Sequence, residues 1–191
     1  MNTTADVKAE CDLCCTSANA VRMVTEVLKD EKEIIFVPDQ YLADFVSEKT
    51  GRDFILWRGY CPTHAKILPE QILEQKQRHP AAAVIAHPEC PRPVRRLADQ
   101  VLSTEGMCRY VRESGKDEII VATELGIIHR LKKENQGKTF YPASDRALCP
   151  NMKLINLEKI LWSLEDMEHT VEVPDDIARR AMGSIERMLS H

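Results

Sequence analysis

The stretch Ala82-Ala83-Val84-Ile85-Ala86-His87-Pro88-Glu89 decides the fold. A run of small and branched apolar residues breaks off abruptly on His-Pro-Glu. In a parallel sheet covered on both faces a strand reads as a continuous apolar run rather than an alternation. Polar residues at its carboxyl end then face the ligand crevice. Downstream come a helical pattern over Val94–Gln100, the hydroxyl pair Ser103-Thr104 and a helix. A second apolar run, Glu118–Ala122, ends on Thr123-Glu124; another helix and Phe140-Tyr141 follow. This alternation predicts an α/β layered fold.

Upstream the same order recurs. Thr16-Ser17 precedes a helix over Ala20–Leu28, then come Glu33-Ile34-Ile35, Pro38-Asp39, another helix and a strand at Phe54–Trp57. Equivalent points lie about 85 residues apart, which marks an internal repeat. The fold expected is α/β with two similar three-layer αβα domains, each built on a small parallel sheet, over residues 1–80 and 81–191. A strand at Ile34–Val37 and a helix over Leu68–Gln77 belong to the first. Helices over Asn156–Leu164 and Asp175–Leu189, the latter capped by Asp175, close the second. Matching the repeats backwards sets Asn2 against His87, so the first domain lacks the strand that would carry Asn2, and the chain is expected to begin inside a domain.

Composition narrows function. A net charge of −4 gives no general attraction for nucleic acid or anionic lipid. No apolar run has the length of a membrane span, and Met1–Glu10 has no signal-peptide core, so the cytoplasm is the expected compartment. Seven cysteines, an odd number without a secretion signal, argue for thiols or metal ligands over disulfides. Cys11-Asp12-Leu13-Cys14 has the conspicuous C-x-x-C spacing, on what reads as a short strand beside Cys15. The serine and threonine pairs before helices are ordinary N-caps. Their recurrence beside one crevice, where helix N-termini favour anions, points to an anionic substrate.

The chain resembles the quinolinate synthases. The resemblance is carried by Asn2-Thr3-Thr4-Ala5-Asp6-Val7-Lys8-Ala9, Cys15-Thr16-Ser17-Ala18-Asn19-Ala20-Val21, Pro38-Asp39 and Trp57-Arg58-Gly59-Tyr60-Cys61-Pro62-Thr63-His64. It continues through His87-Pro88-Glu89, Ser103-Thr104, Thr123-Glu124-Leu125-Gly126-Ile127 and Cys149-Pro150-Asn151-Met152-Lys153. It implies three similar α/β domains about a pseudo-threefold axis, of which the second and third are present. A [4Fe-4S] cluster would be held by one cysteine from each domain. The cluster ligands match Cys61 and Cys149, each followed by proline, with the third cysteine coming from the absent domain. Cys11, Cys14, Cys15, Cys90 and Cys108 are then read as packed thiols.

Further roles follow from the same resemblance. Asn2, Ser17, His87, Pro88, Glu89 and Thr104 would bind substrate, and His87 with Glu89 would move protons. His64 and His129 match no role and read as surface or packing residues. The implied reaction condenses iminoaspartate with dihydroxyacetone phosphate to quinolinate, in NAD biosynthesis, with the cluster as Lewis acid. An N-terminal domain on a separate polypeptide and an aspartate oxidase are the expected partners. Three alternatives stand beside an inactive fragment: one subunit of a split enzyme, a metal- or anion-binding remnant, and a thiol redox or metal-binding protein using Cys11 and Cys14.

Overall fold

The computed structural model describes residues 3–191, which form two compact units: Cys15–Leu148, and the residues up to Cys14 together with Cys149–His191. The protein is α/β, built on small parallel sheets. Numbered along the whole chain, the larger unit begins with α2 (Ala20–Arg22), which runs on as a π-helix over Met23–Val27. It continues with β1 (Ile35–Phe36), α3 (Gln40–Thr50), β2 (Ile55–Leu56), α4 (Pro62–Ala65) and α5 (Pro69–Arg78). Then follow β3 (Ala83–Ala86), α6 (Arg92–Arg95), β4 (Gln100–Val101), α7 (Thr104–Glu113), β5 (Glu118–Ala122), α8 (Ile127–Glu134) and β6 (Thr139–Pro142).

Two parallel sheets result, β1-β2 and β4-β3-β5-β6. The larger one shows why its strands read as unbroken apolar runs. Val84, Ala86, Ile120 and Ala122 pack with Ile67, Ile72 and Val94 on one face. Their neighbours Ile85, Ile119 and Val121 pack with Met107, Val111 and Leu131 on the other. Successive side chains point to opposite faces, and both faces are covered by helices. The β1-β2 sheet has its own core of Val24, Phe36, Leu42 and Val46, on which Val101 of β4 also packs.

Several expectations need correcting. Val94–Gln100 is not a helix: one turn ends at Arg95 and the chain then becomes strand β4. The edge of β3 captures it, because Asp99 N–H donates to Val84 C=O at 2.8 Å and Leu102 N–H to Ala86 C=O at 2.9 Å. The helix after Thr16-Ser17 changes register, with Leu28 N–H reaching back five residues to Met23 C=O. Cys11–Cys14 is not a strand; Cys14 N–H donates to Ser184 C=O at 3.0 Å instead of to a sheet ladder. Cys11, Cys14 and Cys15 are accordingly half-buried, whereas Cys90 and Cys108 are packed thiols as expected.

In the smaller unit α1 (Ala5–Ala9) packs on α10 (Asp175–Leu189), with Ser184 Oγ donating to Lys8 C=O at 2.9 Å. Pro174, not Asp175, holds the N-cap position of α10; Asp175 opens its first turn, where a carboxylate favours the dipole. Helix α9 (Leu157–Glu165) is capped by Asn156, whose Oδ1 accepts from Lys159 N–H. Among the described residues no helix is long and apolar enough to cross a membrane.

Within the larger unit, α3 and α6 are joined through a buried guanidinium. Arg95, with 3% of its side chain exposed, donates to both Asp44 and Glu48 at 2.6 Å. It also donates to the carbonyls of Tyr41 and Cys90. Arg92 adds a second, more exposed contact to Asp44. Burial alone would raise the Asp44 carboxyl, but hydrogen bonds from Arg92 and Arg95 outweigh it and hold the group below its ordinary range. A carboxyl depressed on folding gives stability that is present above its unfolded pKa and lost as pH falls through the folded one. Arg95→Met should therefore destabilise by about 3–5 kcal/mol, since two carboxylates lose their buried partner, and Arg92→Gln by clearly less. In urea denaturation across the acid range, Asp44→Asn should lower stability at neutral pH and flatten its decline on acidification.

Candidate active site

The strand order positions the site. From β3 the chain steps to β4 on one side and returns to β5 on the other, so a crevice opens at the carboxyl ends of β3 and β5. Those ends are in register, Ala86 opposite Ala122. His87 and Thr123 therefore emerge side by side, and His87 N–H donates to Ala122 C=O at 3.1 Å. The chain turns at Pro88, and Glu89 N–H donates to His87 Nδ1 at 3.3 Å. Cys90 closes the turn, its thiol donating to Ala122 C=O at 3.3 Å.

The opposite wall is α4 and the loop before it. Proline at the first helical position disfavours helical backbone at the preceding residue. Cys61 is accordingly extended, at φ −77° and ψ 112°, in the N-cap position. His64 follows three residues later, on the same side of the turn. Its Nε2 lies 2.8 Å from Thr123 Oγ1, and its Nδ1 lies 3.2 Å from Glu89 Oε2. The imidazole stacks on that of His87, with centroids 4.5 Å apart and planes at 14°. Donor atoms of Cys61, His64 and Glu89 all lie within 4.8 Å of one another.

Behind the loop Asp39 is buried, with Oδ1 accepting from Leu42 N–H and Oδ2 from Cys61 N–H, both at 2.8 Å. Gly59 allows the close approach of the loop to this segment. A Cβ there would run into the Pro38 carbonyl oxygen and lie 2.8 Å from the Trp57 ring.

The two histidines differ in charge. Burial alone would lower His64, but Cys61 and Glu89 outweigh it and raise its pKa to about 9. His87 is lowered to about 4 by burial, reinforced by the neighbouring His64 cation. Glu89 would be raised by burial, yet His64 and His87 hold it below its ordinary value. Burial would likewise raise the Cys61 thiol, but His64 and the first-turn N–H groups of α4 outweigh it and hold it low. At neutral pH the site thus holds an imidazolium and a carboxylate beside a neutral imidazole, with a thiol held below its ordinary pKa. Such a set has an acid and a base poised in opposite states.

The donor set also suits a metal. His64 Nδ1 is buried without a well-directed hydrogen bond and faces the Cys61 sulfur and a Glu89 oxygen. Thr123 fixes the other ring nitrogen, as outer partners of metal-binding histidines commonly do.

Of the residues singled out from sequence, Cys61, His87, Pro88 and Glu89 fall in this crevice. Ser17 lies in the turn before α2, where Thr16 N–H and Oγ1 bind Asn19 Oδ1. Thr104 is the first residue of α7, and Ser103 is the cap, its Oγ accepting from Gly106 N–H. Among the described residues no hydrogen bond joins Ser17 or Thr104 to the His64 cluster. Cys149, half-buried, lies in the other compact unit. Asn2 lies outside the described residues. His129 is exposed on α8, as expected. His64 is the correction: it is neither surface nor mere packing but the centre of the cluster. Two signals pointed to it and to Thr123, namely the one-turn spacing from Cys61 and a position just after an apolar run.

Residues 1–190 match the family model described as Quinolinate synthetase A protein. A quinolinate synthase of Dehalococcoides mccartyi (strain CBDB1) is 52% identical over 99% of this chain and 62% of its own length. Quinolinate synthase 1 of Methanosarcina acetivorans is 49% identical, and the quinolinate synthase of Desulforudis audaxviator 48%, each over all of this chain and 62% of the relative. The chain thus spans 62% of the length of these relatives.

The Thr123 hydroxyl is the partner of a buried ring nitrogen, which gives a direct test. Thr123→Val keeps the shape but strands His64 Nε2, and should cost about 1–3 kcal/mol. Thr123→Ser keeps the hydroxyl and should cost distinctly less. Chemical denaturation of the two variants measures the difference.

Proposed function

Because the chain belongs to the quinolinate synthase family, we propose that it carries much of the site that condenses iminoaspartate with dihydroxyacetone phosphate. The products are quinolinate, phosphate and two waters, so every atom of the two substrates is accounted for. The observation that carries this reading is the convergence of half-buried Cys61 and Glu89 on buried His64 at the carboxyl ends of β3 and β5, with neutral His87 stacked on it.

On this reading Cys61 and Cys149 hold iron of a [4Fe-4S] cluster, with the third thiolate supplied from the part of the relatives that this chain does not match. When bound, the cluster supplies a Lewis-acidic iron for a substrate hydroxyl or carboxylate. The chain's own residues do the rest. The His64 imidazolium hydrogen-bonds or protonates a developing oxyanion or leaving hydroxyl. The Glu89 carboxylate accepts protons during enolisation and ring closure, and neutral His87, whose Nδ1 accepts from Glu89 N–H, donates a hydrogen bond to substrate from Nε2. His64 and His87 are buried and Glu89 partly so, and the lower local dielectric strengthens each contact. Ser17 and Thr104, near helix starts, bind carboxylate or phosphate, and Asn2 and Pro88 complete the contacts to substrate. The proposed location is the cytoplasm, with an aspartate oxidase as the supplier of iminoaspartate.

Since positioning of reactants contributes about 7–11 kcal/mol in favourable cases, part of the constellation should give little rate. The expected result is no useful quinolinate synthesis by this chain alone after anaerobic reconstitution. Activity should appear on adding a polypeptide that carries the unmatched portion with its cysteine. Cluster absorbance of that mixture should be lost in Cys61→Ser and Cys149→Ser and kept in Cys11→Ser. Full activity of the chain alone, or a cluster indifferent to Cys61, contradicts the proposal. Loss of the cluster in Cys11→Ser would instead favour the reading in which Cys11 and Cys14 bind metal.

A further inference from the structure

We propose that Asp39 is a positioning residue that aims the Cys61 sulfur at its metal, an inference that rests on the reading of Cys61 as a metal ligand. Asp39 uses its two oxygens on two different elements. Oδ1 caps α3 at Leu42 N–H, and Oδ2 reaches across 22 residues of sequence to the Cys61 N–H, each at 2.8 Å. Only 3% of Asp39 is exposed, so neither bond competes with water.

The loop needs this support. Trp57, Arg58 and Tyr60 are exposed, and residues 57–61 belong to no helix or strand. Trp57 N–H donates to Phe36 C=O at 3.2 Å, and three further hydrogen bonds join the loop to Asp39 and Gln40. Gln40 N–H donates to Gly59 C=O at 2.8 Å, Gln40 Nε2 to Arg58 C=O at 3.3 Å, and Asp39 accepts from Cys61 itself. Asp39 holds the backbone of the ligand, not its side chain. It thereby sets the start of α4, from which both the sulfur and, one turn on, His64 are directed into the crevice. A cap alone needs one oxygen, and a serine supplies it; the second oxygen is unexplained by helix stability.

That difference gives the test, using the whole chain and cobalt(II) alone as the probe, with thiolate-to-cobalt charge-transfer absorbance as the readout. Asp39→Ser keeps the cap of α3 but is too short to reach Cys61, whereas Asp39→Ala loses both. Outer partners of metal ligands change affinity by about 10–100-fold. Asp39→Ser should therefore weaken cobalt binding by about that factor while losing less stability than Asp39→Ala, which should weaken binding as well. Weakening in Asp39→Ala only, in step with lost stability, would show a cap and nothing more, and overturns the inference. The Cys61→Ser chain separates the two levels. If it loses the band while Asp39→Ser binds normally, the positioning role fails and Cys61 remains a ligand. If the band persists in Cys61→Ser, Cys61 is not the ligand and both fail; if it is absent from the unsubstituted chain, no metal is held for Asp39 to serve and the positioning role is overturned.

Discussion

Everything at the crevice depends on one buried contact set, that of His64. Its ring joins three pieces of chain that the sequence separates widely: the Cys61 loop, the turn after β3 and the end of β5. Moving a charge out of water costs several kcal/mol, and a single partner seldom repays it. Here the Glu89 carboxylate, the Cys61 sulfur and the Thr123 hydroxyl together surround the imidazole. The cation is tolerable because all three are present. Their convergence in turn fixes where α4 lies against the sheet.

The sheet makes that convergence possible. Parallel strands bring successive carboxyl ends to one side, and the order β4-β3-β5-β6 parts the chain between β3 and β5. Apolar side chains cover both faces there, so the strand ends are the remaining places for polar groups. The Arg95 guanidinium supports the other wall by binding two α3 carboxylates from α6. Asp39, the cap of that same α3, then reaches the Cys61 loop. A line of polar contacts, anchored on buried Arg95 and Asp39, thus runs through α3 to the loop carrying the sulfur.

What was legible in the sequence follows from the same physics. The strand Glu118–Ala122 and the helix Asp175–Leu189 are found with the boundaries that periodicity gives, because each is long and strongly patterned. Val94–Gln100 misleads because its apolar residues fit a helix while its backbone bonds go to β3, and a ladder formed through sequence-distant partners leaves no local pattern. Cys61, His87 and Glu89 could be picked out by resemblance and by the rule for strand ends. His64 is harder to pick out, since its one-turn spacing from Cys61 is a weak signal and a histidine inside a single helical turn reads like any packing residue until the three groups around it are placed. Thr123 obeys the rule that singled out His87, but a lone hydroxyl after a strand is too common to carry weight.

The division of charge between the two histidines follows from distances rather than residue type. Both rings are buried, and both approach Glu89 Oε2, His64 at 3.2 Å and His87 at 3.9 Å. Two positive rings stacked with centroids 4.5 Å apart would repel by about 4 kcal/mol even at an effective dielectric of about 20. One carboxylate cannot compensate both. The nearer ring, which also has the Cys61 sulfur beside it, takes the proton. The farther ring accepts a hydrogen bond at Nδ1 from Glu89 N–H, which suits a neutral imidazole and not a cation. An imidazolium and a neutral imidazole therefore stand face to face, and the asymmetry that separates them lies in the placement of Cys61.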